Sequence, residues 1–190
     1  MTDLGPEWVP DADGVPSREA ARLILFDASG RVLLIRGHDT HDLNHTWWFT
    51  TGGGLEPGES ARVGAVRETF EETGLRVDPE SVVGPVIHRE AEFRFRNVTA
   101  RQNEFFFLAY LDRVMPDLDG RMLTDIETQT LDEFEWFTPE EVAELAKHAD
   151  VYPKALPDLL PAWSKGWDGR FVQLSRGEGA SQVDRETGAE

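Results

Sequence analysis

The stretch that most constrains this chain is residues 51–75, TGGGLEPGESARVGAVRETFEETGL. A Gly-rich loop runs into a helical pattern over residues 59–73, and Gly74 stands where a helix gives way to a left-handed residue. On a helix turning about 100° per residue, Glu68, Glu71 and Glu72 share one face. Val63, Val66 and Phe70 gather on the opposite side, which predicts an apolar stripe on the core and an acidic face directed away from it.

That acidic face breaks two local rules. Like charges three and four residues apart repel. They also sit near the helix C-terminus, where the macrodipole disfavours anions. Such violations tend to mark functional sites. A divalent cation would remove both penalties, and carboxylate oxygens on a rigid element suit Mg2+ or Mn2+. A merely solvated acidic face is the other reading, and the cluster alone does not choose between them.

The flanking pattern frames this helix. Residues 20–26 and 31–37 are apolar strand candidates joined by the turn DASG, and strands are expected again at 82–88, 92–98, 104–111 and 133–137. Thr138, Pro139 and Glu141 form a capping-box start for a helix running to about residue 148, and a short helix is expected near 156–164. Irregular alternation with hairpins predicts an α+β fold, a mixed sheet with helices packed on it. Residues 1–17 read as an extended arm, residues 18–165 as one domain, and 166–190 as a polar tail, partly disordered.

The spacing Gly53, Glu59, Arg67, Glu68, Glu71, Glu72, Gly74, Leu75 resembles the Nudix box, the signature of the Nudix hydrolases. Thr69 departs from it where the family favours an aliphatic residue, and Thr51 stands where many members have Pro. The resemblance extends over about residues 18–148. It implies an α/β/α sandwich with the box as a loop–helix–loop, and metal-dependent cleavage of a diphosphate linkage. Position by position, it implies that Glu68, Glu71 and Glu72 are metal ligands. Arg67 would orient them, Glu59 would support that network, and Gly53 and Gly74 would be loop glycines. Glu71, Glu72 and Arg67 are then the catalytic group. The base is left open between Glu71, Glu72 and a carboxylate outside the box, for which Glu104 and Glu133 are candidates; each also reads as an ordinary strand-edge carboxylate. Trp47 and Trp48 are candidates to stack on a base, or anchors of core or loop. Arg36, Arg94, Arg96 and Arg101 are candidates to clamp phosphate, or residues of a solvated strand face.

Composition sets the partners. With 19 basic and 36 acidic residues the net charge is −17, which opposes nucleic acid polymers and anionic membranes. The expected partner is a small phosphorylated molecule, with a homodimer as the expected assembly. No cysteine is present, which excludes disulfides, thiolate metal sites and cysteine nucleophiles. Isopentenyl diphosphate isomerase, which shares the Nudix fold and relies on a cysteine, is excluded with them. A sensing module that binds without cutting is the competing function, though all the box glutamates are present. The start of the chain lacks a basic-then-apolar signal, so a cytoplasmic protein is expected.

Overall fold

A computed structural model of the chain describes residues 7–39, 42–95, 98–119 and 121–176. Among these, the strands β1 (Val9–Pro10), β2 (Pro16–Phe26), β3 (Val32–Asp39), β4 (Asp42–Phe49) and β5 (Thr51–Gly54) precede helix α1 (Ala61–Thr73). After it come β6 (Val83–Phe95), β7 (Val98–Tyr110), α2 (Asp125–Thr130), β8 (Leu131–Phe137), α3 (Pro139–Leu145), β9 (Asp150–Val151), α4 (Leu156–Trp163) and β10 (Val172–Leu174). The sheet runs β10-β6-β7-β2-β3-β4-β9, with β1 and β5 also paired to β2 and β8 paired to β3.

The sheet is mixed. β2 lies parallel to β7 from Ser17↔Arg101 to Phe26↔Tyr110, whereas β6 and β7 form a long antiparallel hairpin. Alternate residues of β2 serve opposite faces. Leu23 and Leu25 pack with Ala65 of α1, while Ile24 and Phe26 pack with Val142 of α3 and Leu160 and Trp163 of α4. Two apolar cores on two sides of one sheet give the expected helix–sheet–helix layering.

Local signals placed most elements. Ser60 caps α1 by accepting from the Val63 N–H, and Gly74 ends it at φ 75°. Thr138 and Glu141 form the expected capping box, although α3 stops at Leu145. The strand expected at 82–88 and residues 92–95 of the one expected at 92–98 belong to one continuous strand, β6; residues 96 and 97 lie outside the described residues, and Val98 opens β7. β4 and α2 were not foreseen. The expected tail contributes β10, parallel to β6, and the expected arm contributes β1. Residues 177–190 of that tail lie outside the described residues.

The buried face of α1 is not the expected one. Gly64, Ala65, Thr69, Glu72 and Thr73 are buried, Val63 is exposed, and Val66 and Phe70 are half-buried. The cause is close approach. β5 brings three glycines against the helix, so small residues face the sheet. Thr69 donates to the Ala65 carbonyl and shares a 2.8 Å hydrogen bond with Thr51. Phe70 instead lies 4.4 Å beneath the Arg76 guanidinium. The acidic edge is thereby turned inward, toward the Gly-rich loop.

Candidate active site

α1 and the loop before it assemble the expected box residues. Arg67 is the hub: Nε and Nη2 donate to the two Glu59 carboxylate oxygens at 2.9 Å each, a bidentate pair. Nη1 donates to Glu68 at 2.8 Å and Glu71 at 3.0 Å, and Nη2 also reaches the Gly54 carbonyl. Hydrogen bonding to Glu59, then to Glu68, drives the Arg67 pKa upward. The same pair holds Glu59 below the usual carboxylate range. Glu68 and Glu72 shift the other way. Burial raises the Glu68 pKa despite its Arg67 bond, and burial raises Glu72 well above the ordinary value. Glu72 is 3% exposed, and its partner is the Gly52 N–H at 2.9 Å.

Gly53 lets Glu68 cross the loop. A Cβ there would sit 2.5 Å from a Glu68 oxygen. Among the described residues, no three His, Asp or Glu side chains converge on one point for a cation: Glu68 and Glu71 share Arg67 Nη1, and Glu72 turns to the Gly52 N–H. The donor set itself fits a hard divalent ion: oxygen ligands on one helix edge, one of them a buried carboxylate bonded to a neutral N–H.

The residues outside the box fall into different places. Glu104 is not at a strand edge. It is 1% exposed on β7, which lies between β6 and β2. It accepts from Arg22 Nε at 2.7 Å and Gln102 Nε2 at 2.9 Å, with Arg89 at 3.3 Å. Burial alone would raise its pKa; the Arg22 and Arg89 charges outweigh that and lower it. Glu133 is exposed and pairs with Arg36 at 3.0 Å, and Arg36 also meets Asp132. Arg101 is bound by Asp11, Asp13 and Glu92. Both arginines are thus engaged with carboxylates. Arg96 and the side chain of Arg94 lie outside the described residues. Trp48 belongs to the core, edge-on to Phe137 at 5.1 Å, while Trp47 is half-buried beside His45.

Sequence reasoning missed Glu127 and Arg22. Glu127 on α2 caps its own helix through Thr124, and its charge raises the pKa of both Glu68 and Glu72. The pattern Thr124-x-x-Glu127 was a readable capping box. Arg22 sits in an otherwise apolar strand run, where a lone arginine carries no periodic signal.

A family model, the NUDIX domain, matches residues 16–159, and the chain belongs to that family. A MutT-like protein of Streptomyces ambofaciens is 34% identical over 137 residues, covering 72% of this chain and 73% of the relative. An RNA pyrophosphohydrolase of Dinoroseobacter shibae is 36% identical over 73 residues, 38% of this chain and 44% of the relative. The fold matches a crystal structure of a C. elegans Ap4A hydrolase at TM-score 0.51 and 18% identity, covering 79% of this chain and 99% of that one. A MutT protein from Bacillus halodurans matches at TM-score 0.51 and 19% identity, over 83% and 89%. The chain is a Nudix hydrolase, of a family that cleaves pyrophosphate linkages and generally uses divalent metal ions. No helix among the described residues is long and apolar enough to cross a membrane.

Proposed function

We propose that this chain hydrolyses a diphosphate linkage in a small, nucleoside-diphosphate-containing molecule, with Mg2+ or Mn2+ held by Glu68, Glu71 and Glu72. One observation carries this reading: uncompensated charge. Arg67 already bonds Glu59, Glu68 and Glu71, while Glu72 lies buried with a neutral partner and Glu127 adds further negative charge. A site so acidic would repel phosphate without a cation. When bound, the ion supplies neutralisation of substrate phosphates and a water of lowered pKa.

The chain's own residues do the rest. Arg67 stays charged and fixes the orientation of Glu68 and Glu71. Glu71, whose side chain is 39% exposed, turns one oxygen to Arg67 and leaves the other to accept a proton. Glu127, whose charge acts on both Glu68 and Glu72, is the competing base. Glu104 is withdrawn from that role because three partners surround it. Trp47 remains the candidate for stacking on a base.

Relatives named RNA pyrophosphohydrolase make an RNA 5′ end the rival substrate. The net charge of −17 argues against a polyanion. The test is a panel of nucleoside triphosphates, dinucleoside polyphosphates, nucleotide sugars and 5′-triphosphorylated RNA, with Mg2+, Mn2+ or excess chelator. Metal-dependent cleavage of a small diphosphate is expected. Cleavage of RNA alone would replace the substrate, and full activity in chelator would sink the metal assignment.

A further inference from the structure

Glu72 is aimed by a backbone N–H, and that N–H is held in place by a buried ion pair from two other strands. Arg22 on β2 faces Gly52 on β5 in register. Its Nε donates to Glu104 at 2.7 Å, and its Nη1 donates to the Thr50 and Gly52 carbonyls at 3.2 Å each. Those two carbonyls belong to the peptides on either side of the Thr51–Gly52 peptide. Thr51 is tied separately: its hydroxyl lies 3.1 Å from the Leu23 carbonyl and 2.8 Å from the Thr69 hydroxyl, and donates to one of the two. With both neighbours pinned, the Gly52 N–H points at Glu72, 2.9 Å away. The clamp leaves no room for a side chain: a Cβ on Gly52 would sit 2.3 Å from the Ala21 carbonyl and 2.6 Å from the Arg22 Cα, at φ +129°.

Glu104 orients the guanidinium, since a buried arginine without a carboxylate would be too costly to keep there. Gln102 and Arg89 in turn hold Glu104. We infer that Arg22 and Glu104 are positioning residues for the box, which fix the Gly52 peptide so that Glu72 presents its carboxylate to a divalent cation in one orientation. This deepens the proposed function and rests on Glu72 being a metal ligand. Outer partners that orient ligands usually carry about 10–100-fold in metal affinity.

The experiment pairs two readouts on Arg22→Met and the milder Glu104→Gln. The first is amide hydrogen exchange at Gly52 by NMR in metal-free protein. The second is Mn2+ affinity by paramagnetic resonance. Arg22→Met should raise Gly52 exchange by about 10-fold or more while the β2–β7 amides stay protected, and should weaken Mn2+ by about 10–100-fold. Glu104→Gln, which keeps an acceptor for Arg22, should move both in the same direction by less. Core variant Val86→Ala, which lowers stability away from the clamp, should move neither. Unchanged Gly52 exchange in both clamp variants overturns the inference, as does an equal change in Val86→Ala. If wild-type protein fails to bind Mn2+, the metal reading falls, and Gly52 exchange still decides whether Arg22 and Glu104 hold the loop. Should Arg22→Met not fold, Glu104→Gln carries both readouts.

Discussion

Replacing Glu72 by Gln should stabilise the metal-free protein and abolish turnover at once. Glu72 is 3% exposed, accepts from the Gly52 N–H, and feels the charges of Glu68 and Glu127; Arg22 also attracts it but is bonded to Glu104. Stripping water from a carboxylate costs several kcal/mol after relaxation. A hydrogen bond to a charged group returns about 1.5–3 kcal/mol. The shortfall, about 2 kcal/mol, is what Gln should recover, because its carbonyl keeps the Gly52 bond without the charge. For a chain of this size that is a rise of about 4–8 °C in Tm. The sign with pH follows from burial raising the Glu72 pKa. The native state holds this proton more tightly, so its contribution is complete below the ordinary glutamate value of about 4.3 and is lost as pH rises through the folded value. Gln has no such loss, so the gap between variant and wild type should widen with pH. Thermal melts in chelator across pH measure it, and Mg2+ should then raise wild type only. A variant that melts below wild type at neutral pH in chelator, or a gap that narrows with pH, would refute the reasoning.

Three further expectations follow from packing. Phe70→Ala should cost only about 1–2 kcal/mol in urea melts, below the 3–5 of a fully buried ring, because the ring is half-buried under Arg76; a cost above about 3 would restore the expected apolar stripe. Thr51→Val and Thr69→Val should each cost about 0.5–1.5 kcal/mol by removing the shared hydrogen bond, since the hydroxyl that remains keeps a carbonyl acceptor, Ala65 for Thr69 and Leu23 for Thr51, while the double variant should cost less than the sum; strict additivity would show that the pair does not interact. Asp27 is buried, which raises its pKa, but the N–H groups of Met115, Arg31 and Ser29 outweigh this and lower it. Its stabilisation is therefore present above the ordinary aspartate value of about 3.9 and lost as pH falls through the folded one. Asp27→Asn should destabilise at neutral pH by about 1–3 kcal/mol, with the gap closing in acid; a gap constant with pH would exclude the charge as the cause.

What could be read from the sequence depended on whether the signal was local. The end of α1 was legible because Gly74 acts within one turn, and the capping box at Thr138 was legible for the same reason, whereas the expected start at residue 59 precedes the Ser60 cap. The inward face of α1 was not. Amphipathic reading assumes that large apolar residues mark the core, and here the sheet comes so close that Ala65, Thr69 and Thr73 fill the contact. The two departures from the family pattern, Thr51 and Thr69, looked independent in sequence, 18 residues apart, yet they bond to each other. Both are buried with backbone carbonyls within reach, so a polar pair stands where separate apolar residues would otherwise fit.

The candidate site divides along the same line. Arg67 and its glutamates are neighbours on one helix and its preceding loop, so spacing alone exposed them. Glu104 and Arg22 are 82 residues apart and meet only because β2 and β7 pair in parallel. A parallel pairing needs a long crossover, and its register is written in no short motif. That explains why Glu104 read as an edge carboxylate when it is an interior ion-pair partner, and why Arg22 went unnoticed. The long-range pair is also what makes the short motif usable. A glycine loop gives the close approach that Glu68 and Glu72 require, but glycine restricts the backbone least of all residues. Residues outside the loop must then fix its peptides, and Arg22 on β2 does so at the Thr50 and Gly52 carbonyls, with Arg67 at the Gly54 carbonyl and Thr69 at the Thr51 hydroxyl.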